Sequence, residues 1–206
     1  MEYEILEFSK LCKSVQVSFH NGKTVEEPPI NGLLFYAYPT MKQGDFCMCI
    51  CDPAIRDYVK LPIYESFKSK NCFPKFGFGF DTISKEFKVV AISLWNSDGT
   101  LQSEAQVYTL GSNSWKRLTN VPKVSFIRTG SAFVNGSLHW LATGETEDGL
   151  ELTKIMSFNL SSEHFGVIPS PAVVESKSAR SFMQLVELRG CLSIVDYFYD
   201  RHTEIC

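Results

Sequence analysis

The sequence predicts an all-β fold assembled from short antiparallel meanders, and three observations carry that prediction. Apolar runs are short, rich in β-branched and aromatic residues, and never sustain a 3.6-residue period. Turn pairs that tolerate φ > 0 separate them, including Asn31-Gly32, Asp98-Gly99, Asn135-Gly136 and Arg189-Gly190. The pattern also repeats. The stretch from Gly130 to Pro169 contains four strands in series: Ser131–Val134, Leu138–Ala142, Ile155–Leu160 and Phe165–Ile168. The aromatics that open the last strand of three successive units, Tyr58, Trp115 and Phe165, recur at intervals of 57 and 50 residues. Periods of ~40–50 residues with four strands each predict a partial kelch-like β-propeller of about four blades, built from four-stranded antiparallel meanders. An irregular β-sandwich remains the alternative, although it has no reason to repeat its turn chemistry.

In chain order, residues 1–29 read as a poorly defined N-terminal segment. It contains one alternating run, Val15–Phe19, and closes on Pro28-Pro29. Residues 30–206 hold the repeats. The first unit runs from Asn31-Gly32 through a strand at Phe46–Cys51 and the turn Asp52–Asp57 to a return strand at Tyr58–Leu61. The second has Phe76–Asp81, with Gly77 and Gly79 on one face, then Phe87–Ile92, Gln106–Leu110 and Trp115–Leu118. The third is Gly130–Pro169. The fourth begins with Phe182–Leu188 and Leu192–Asp196, and a third strand starts at Glu204-Ile205-Cys206. Asp52, Asp81 and Asn159 precede turns, where Asx-turn formation is the expected role.

Composition excludes several functions. With 206 residues and a 44% apolar fraction, the chain can fill a core, and 16 Phe, 8 Tyr and 3 Trp suit pleated, half-buried surfaces. The net charge of −3, without a basic block, argues against nucleic-acid binding, which needs clustered Lys and Arg. No run of 18 apolar residues is present to span a membrane, and the first residues carry no signal-peptide pattern. Cys47, Cys49 and Cys51 alternate on one strand face, so they read as structural thiols rather than metal ligands. The seven cysteines together suit a reducing cytoplasm or nucleus.

The motifs taken together resemble the plant F-box-associated domain. They are Asn31-Gly32-Leu33-Leu34, Cys51–Tyr58 with Leu61-Pro62, Gly77–Asp81 with Lys88-Val89-Val90, Val107-Tyr108 with Asn113-Ser114-Trp115, Gly136 with Leu138-His139-Trp140, and Ser157–Leu160 with Glu163 and Phe165. The match runs from about Ile30 to the C-terminus. The resemblance implies a kelch-like propeller that binds the protein to be ubiquitinated, while an upstream F-box binds the Skp1 adaptor of a cullin-RING ligase. Residues 1–29 show no F-box motif, and Cys206 stands where the family carries Trp in a longer strand. The resemblance therefore implies a protein-interaction module without the F-box and truncated at the C-terminus, with Skp1 bound only if an upstream F-box is present. A non-functional remnant and an enzyme on a propeller scaffold remain the alternatives.

No catalytic, cofactor-binding or metal residues are expected. Gly77–Thr82 lacks the third glycine of a dinucleotide loop, and no Walker A or nucleophile-elbow motif occurs. His20, His139, His164 and His202 are scattered, and His139 reads as a sheet residue. Trp115 and Trp140 are expected to pack between blades. An unknown target protein would meet the loops, with Ile63–Pro74, Asn96–Glu104, Thr119–Arg128, Thr143–Glu151 and Ala172–Arg180 as candidates.

Overall fold

The computed structural model describes residues 25–26, 28–39, 46–63, 74–126, 130–145, 151–169, 183–196 and 201–205. Among them every regular element is a β-strand and every strand pair is antiparallel. The chain divides into two compact units, Met1–Lys70 and Asn71–Cys206.

The first unit holds one meander, β1 (Val25–Glu26), β2 (Leu34–Pro39), β3 (Phe46–Asp52) and β4 (Asp57–Lys60), hydrogen-bonded in that order. Its β1 lies upstream of residue 30 and pairs with β2. Asn31 and Gly32 adopt φ of 49° and 84°, the two left-handed positions of a type I′ turn, and close reciprocal bonds between Ile30 and Leu33. Asp52 Oδ1 accepts the Ala54 N–H at 2.9 Å, the Asx turn that its position predicts. Residues Phe46–Cys51 of β3 are all buried, and Cys47, Cys49 and Cys51 are free thiols. Cys49 and Cys51 pack with Tyr36 in a small apolar cluster. Cys191, in the second unit, is disulfide-bonded.

The second unit holds three sheets. The first comprises β5 (Lys75–Asp81), β6 (Glu86–Ser97), β7 (Thr100–Thr109) and β8 (Trp115–Arg117). The second comprises β10 (Ala132–Val134), β11 (Ser137–Glu145), β12 (Glu151–Asn159) and β13 (His164–Pro169). A short β9 (Ser125–Phe126) lies end to end with β10 along the same edge of β11. The third comprises β14 (Met183–Leu188), β15 (Cys191–Asp196) and β16 (Arg201–Ile205), so the third strand of this repeat begins at Arg201.

The central sheet is buried on both faces, and side-chain alternation divides its residues between two cores. Leu138, Trp140, Ala142, Met156 and Phe158 join Val90, Ile92, Ala105 and Val107 of the preceding sheet. Leu141, Ile155, Ala132 and Val134 join Met183, Leu185, Leu192 and Ile194 of the following one. Strand β5 lies against β10 and β11, and these lie against β14. The four-stranded meander is thus the stacking unit, as the repeat pattern predicts.

Close stacking depends on the two glycines of β5. A Cβ on Gly77 would come within 2.6 Å of Trp140 Cζ2, and one on Gly79 within 2.7 Å of Leu160 Cδ1 and Phe133 Cδ2. Both glycines face the central sheet and leave room for its large side chains. Gly79→Ala is therefore expected to destabilise the fold by about 1–3 kcal/mol, because the added methyl overpacks a filled interface. Urea denaturation checks this, and an unchanged midpoint would show that the neighbours yield freely.

His139 is buried on β11 with Nδ1 3.4 Å from the Ala132 carbonyl. Burial pushes its pKa below the ordinary value of 6.5, against the opposing effect of backbone hydrogen bonds at Ala132 and Ser137. A depressed imidazole favours folding fully above the unfolded pKa, and that contribution fades as pH falls towards the folded one. Stability is therefore expected to fall on acidification below pH 6.5. His139→Gln should flatten that slope in urea titrations between about pH 7 and 5.5, before carboxylates dominate.

Candidate functional site

Antiparallel pairing sorts the connections of the second unit between two ends. The β5–β6, β7–β8, β10–β11, β12–β13 and β14–β15 turns lie at one end of their sheets, here termed the turn end. The β6–β7 turn and the intersheet segment Leu118–Val124 lie at the other, the connection end, as do the facing ends of β11 and β12. Contacts between sheets align the turn ends. Asn135 Nδ2 donates to the Gly190 carbonyl at 3.4 Å, and the Ser161 hydroxyl donates to Asp81 Oδ1.

The turn end is fastened by a buried ion cluster. Asp81 ends β5 and Lys88 lies on β6, while Leu160, Ser161 and Glu163 belong to the β12–β13 turn. Lys88 Nζ donates to Asp81 Oδ2 at 3.1 Å, the Leu160 carbonyl at 2.8 Å and Glu163 Oε1 at 3.2 Å, matching its three protons to three acceptors. Lys116 reaches Glu163 Oε2 at 2.6 Å from the surface. Asp81 Oδ1 also accepts the Ile83 N–H at 2.9 Å, the expected Asx turn, and Ser84 Oγ donates to Oδ2 at 2.9 Å.

Burial alone would raise the Asp81 carboxyl. Hydrogen bonds from Ser161, the Ile83 N–H, Lys88 and Ser84 outweigh it and hold the pKa well below the carboxylate range. Burial likewise opposes the charges of Glu163 and Lys88. Glu163 is nevertheless lowered by Lys116 and Lys88, and Lys88 is raised by Asp81 and Glu163. Two carboxylates and two ammonium groups balance, leaving a satisfied fastening between sheets. Asn159 Oδ1 accepts the Ser161 and Ser162 N–H groups at 3.1 and 2.8 Å, in the Asx role its position predicts.

The sequence shows the turn role of Asp81 but not its charge partner. The available signal was Lys88 itself, a charge flanked by Phe87 and Val89-Val90 in an apolar run.

Of the loop candidates of this unit, the described parts lie at the connection end, with different boundaries. Asn96–Glu104 is not a loop: Asn96-Ser97 and Thr100–Glu104 belong to β6 and β7, and only Asp98-Gly99 turns, with φ of 52° and 78°. A type I′ pair lets strands run directly into the turn, so polarity here marks a solvated hairpin. Thr143–Glu145 and Glu151 are likewise strand residues, and residues 146–150 lie outside the described set. Within Thr119–Arg128, Ser125-Phe126 forms β9. Ala172–Arg180 and most of Ile63–Pro74 lie outside the described residues.

Trp140 is fully buried between sheets, and its indole N–H donates to the Phe76 carbonyl at 2.8 Å. Trp115 is half-buried on the outermost strand, its ring tilted against that of Tyr108 of its own sheet at 5.4 Å. His164 is exposed, His202 lies on β16, and His20 lies outside the described residues. Among the described residues, no group of three His, Cys, Asp or Glu is placed to hold a metal ion, and no helix is long and apolar enough to cross a membrane.

This stacking of meanders agrees with the family comparison: the F-box associated beta propeller domain matches residues 4–206. The chain belongs to the F-box-associated β-propeller domain family. Its Arabidopsis thaliana relatives include F-box protein At3g07870, 34% identical over 59% of this chain and 33% of that protein. F-box/kelch-repeat protein At3g23880 is 30% identical over 61% of this chain and 33% of that protein. F-box protein DOR is 30% identical over 68% of this chain and 36% of that protein. The F-box-associated chain thus spans about a third of the length of these relatives. Among solved structures it is similar to TolB from Acinetobacter baumannii, at 12% identity and a TM-score of 0.40 over 84% of this chain and 40% of that one. That likeness is too distant to bear on the fold.

Proposed function

We propose that this F-box-associated domain is a non-catalytic protein-interaction module that selects a target for a Skp1–cullin–F-box ubiquitin ligase. The target would bind at the connection end of the second unit. The observation that carries this reading is the unequal character of the two ends. One is closed by short turns and a neutral ion cluster, whereas the other carries the Leu118–Val124 segment and a long hairpin. Loops on a rigid scaffold are where recognition surfaces vary. The F-box proteins among the relatives supply the ligase part of the reading. The chain would work in the cytoplasm or nucleus, where such ligases act.

Skp1 would be held by an F-box outside residues 1–206, because the family match assigns residues 4–206 to the propeller domain. Purified Skp1 should therefore not be retained by residues 1–206, whereas the same residues fused behind an intact F-box should retain it. In plant cells the fusion should lower the abundance of a small protein set in a proteasome-dependent manner. An unchanged proteome would count against target selection, and Skp1 retention by residues 1–206 alone would count against the division of labour.

A further inference from the structure

We infer that Cys49 and Cys51 form a two-coordinate site for a soft monovalent cation, copper(I), on the face of β3 that the alternating cysteines share. The pair lies within the first unit, and the site is independent of target recognition in the second.

Strand geometry places the pair. Alternation puts both side chains on one face of β3, and their Sγ atoms lie 4.0 Å apart. Both residues are buried, at 1% and 2% exposure, and both are free thiols. Residues i and i+2 of a strand are about 6.7 Å apart, whereas the Cβ atoms of a disulfide lie about 3.5–4.5 Å apart. The two sulfurs are thus close enough to share a ligand, while their backbone positions oppose closure to a disulfide. Metal–thiolate bonds of about 2.3 Å span the 4.0 Å gap at a bent angle, and a small separation of the sulfurs makes them collinear.

The donor set selects the cation. Thiolate sulfur is soft and favours copper(I) and zinc among the common ions. Structural zinc takes four ligands. Among the described residues no group of three His, Cys, Asp or Glu is placed to hold a metal ion, so the pair falls short of a zinc set. Copper(I) is satisfied by two thiolates.

The surroundings suit the bound ion. Strand β2 sets Tyr36 beside Cys49 and Leu34 beside Cys51, and these pack with Tyr38 round the sulfurs. This largely apolar wall keeps water and competing ligands away. Two thiolates and one copper(I) carry one net negative charge. On the other side, β4 sets Lys60 opposite Cys49 and Tyr58 opposite Cys51, so an ammonium group shares the face and offsets that charge. All four residues of β4 are exposed, which places entry past this edge, one strand from the sulfurs. Binding breaks two S–H bonds and forms two S–Cu bonds. Both protons pass to solvent, and no electron is transferred. The Cys49 thiol, which donates to the Tyr36 carbonyl at 3.9 Å, gives up that bond on binding.

Anaerobic titration of the reduced full chain with copper(I), in competition with bicinchoninate, tests the site. Cys49→Ala and Cys51→Ala should each weaken uptake of the first equivalent by at least about 100-fold, the upper range for losing even an outer-sphere partner. Cys47→Ala, a third truncation on the same face, should leave it unchanged. Copper(I) should raise the urea midpoint of the parent and of Cys47→Ala, but not of the other two variants. X-ray absorption of the parent with one equivalent bound should show two sulfur ligands, a readout that needs no variant to fold. No uptake by the parent, unchanged uptake in Cys49→Ala or Cys51→Ala, an equal loss in Cys47→Ala, or a shell of three or four sulfurs would overturn the inference.

Discussion

Trp140→Ala is expected to destabilise the chain by about 3–5 kcal/mol, the range for truncating a large buried aromatic. The side chain is 1% exposed, and its ring lies 6.2 Å from that of Phe126 in an edge-on arrangement. It also fills the space above Gly77 that a Cβ would need. Truncation opens a cavity between two sheets and leaves the Phe76 carbonyl without the indole donor. Trp140→Phe separates these effects: most of the ring volume remains, and the loss should shrink to about 1–3 kcal/mol for the unmade bond and residual space. Trp115→Ala should cost less than Trp140→Ala, because Trp115 is half-exposed on a three-residue outer strand. Urea midpoints of the three variants rank these expectations. A Trp140→Ala midpoint equal to that of the parent would show that the intersheet core does not hold the unit together.

Lys88→Ala should produce a loss of similar size, about 3–5 kcal/mol, because it leaves the buried Asp81 carboxylate without a counter-charge, takes one of two ammonium partners from Glu163 and removes a donor from the Leu160 carbonyl. Removing Lys116, whose side chain is 70% exposed, should change stability by only about 0–1 kcal/mol although it touches the same Glu163. Acid provides an independent test. Asp81 and Glu163 have depressed folded pKa values, so their contribution is present above the ordinary carboxylate range. It fades as pH falls through the folded values. The parent should therefore lose stability below about pH 4 more steeply than Asp81→Asn, whose amide has no charge to neutralise. Parallel acid profiles would show that the cluster contributes no linkage.

The fold was legible because its determinants are local. Asn31-Gly32, Asn135-Gly136 and Arg189-Gly190 adopt paired positive φ values, and each closes a hairpin where the sequence places one. Gly77 and Gly79 were visible as one face of a strand, but not as the notch that admits Trp140 and Phe133, since that depends on another sheet. Strand ends were less legible. Asn96 to Glu104 reads as loop by polarity, yet a ribbon extending beyond its sheet, exposed from Asn96 to Thr100 and half-buried from Leu101 to Glu104, carries the same composition. The ion cluster was hidden for a related reason: Asp81 and Glu163 are 82 residues apart in sequence, and only stacked meanders bring them to one lysine. That the described connections share one end was not legible, because alignment of the sheets is a tertiary property.

The most direct test of recognition at the connection end is lysine cross-linking of the domain, fused behind an F-box, to the proteins whose abundance it lowers. Lys123 is exposed in the segment joining two sheets at that end, whereas Lys85 and Lys116 are exposed at the turn end. Target cross-links are expected at Lys123, with few at Lys85 or Lys116. Cross-links concentrated at Lys85 and Lys116, with Lys123 unmodified by target, would contradict recognition at the connection end.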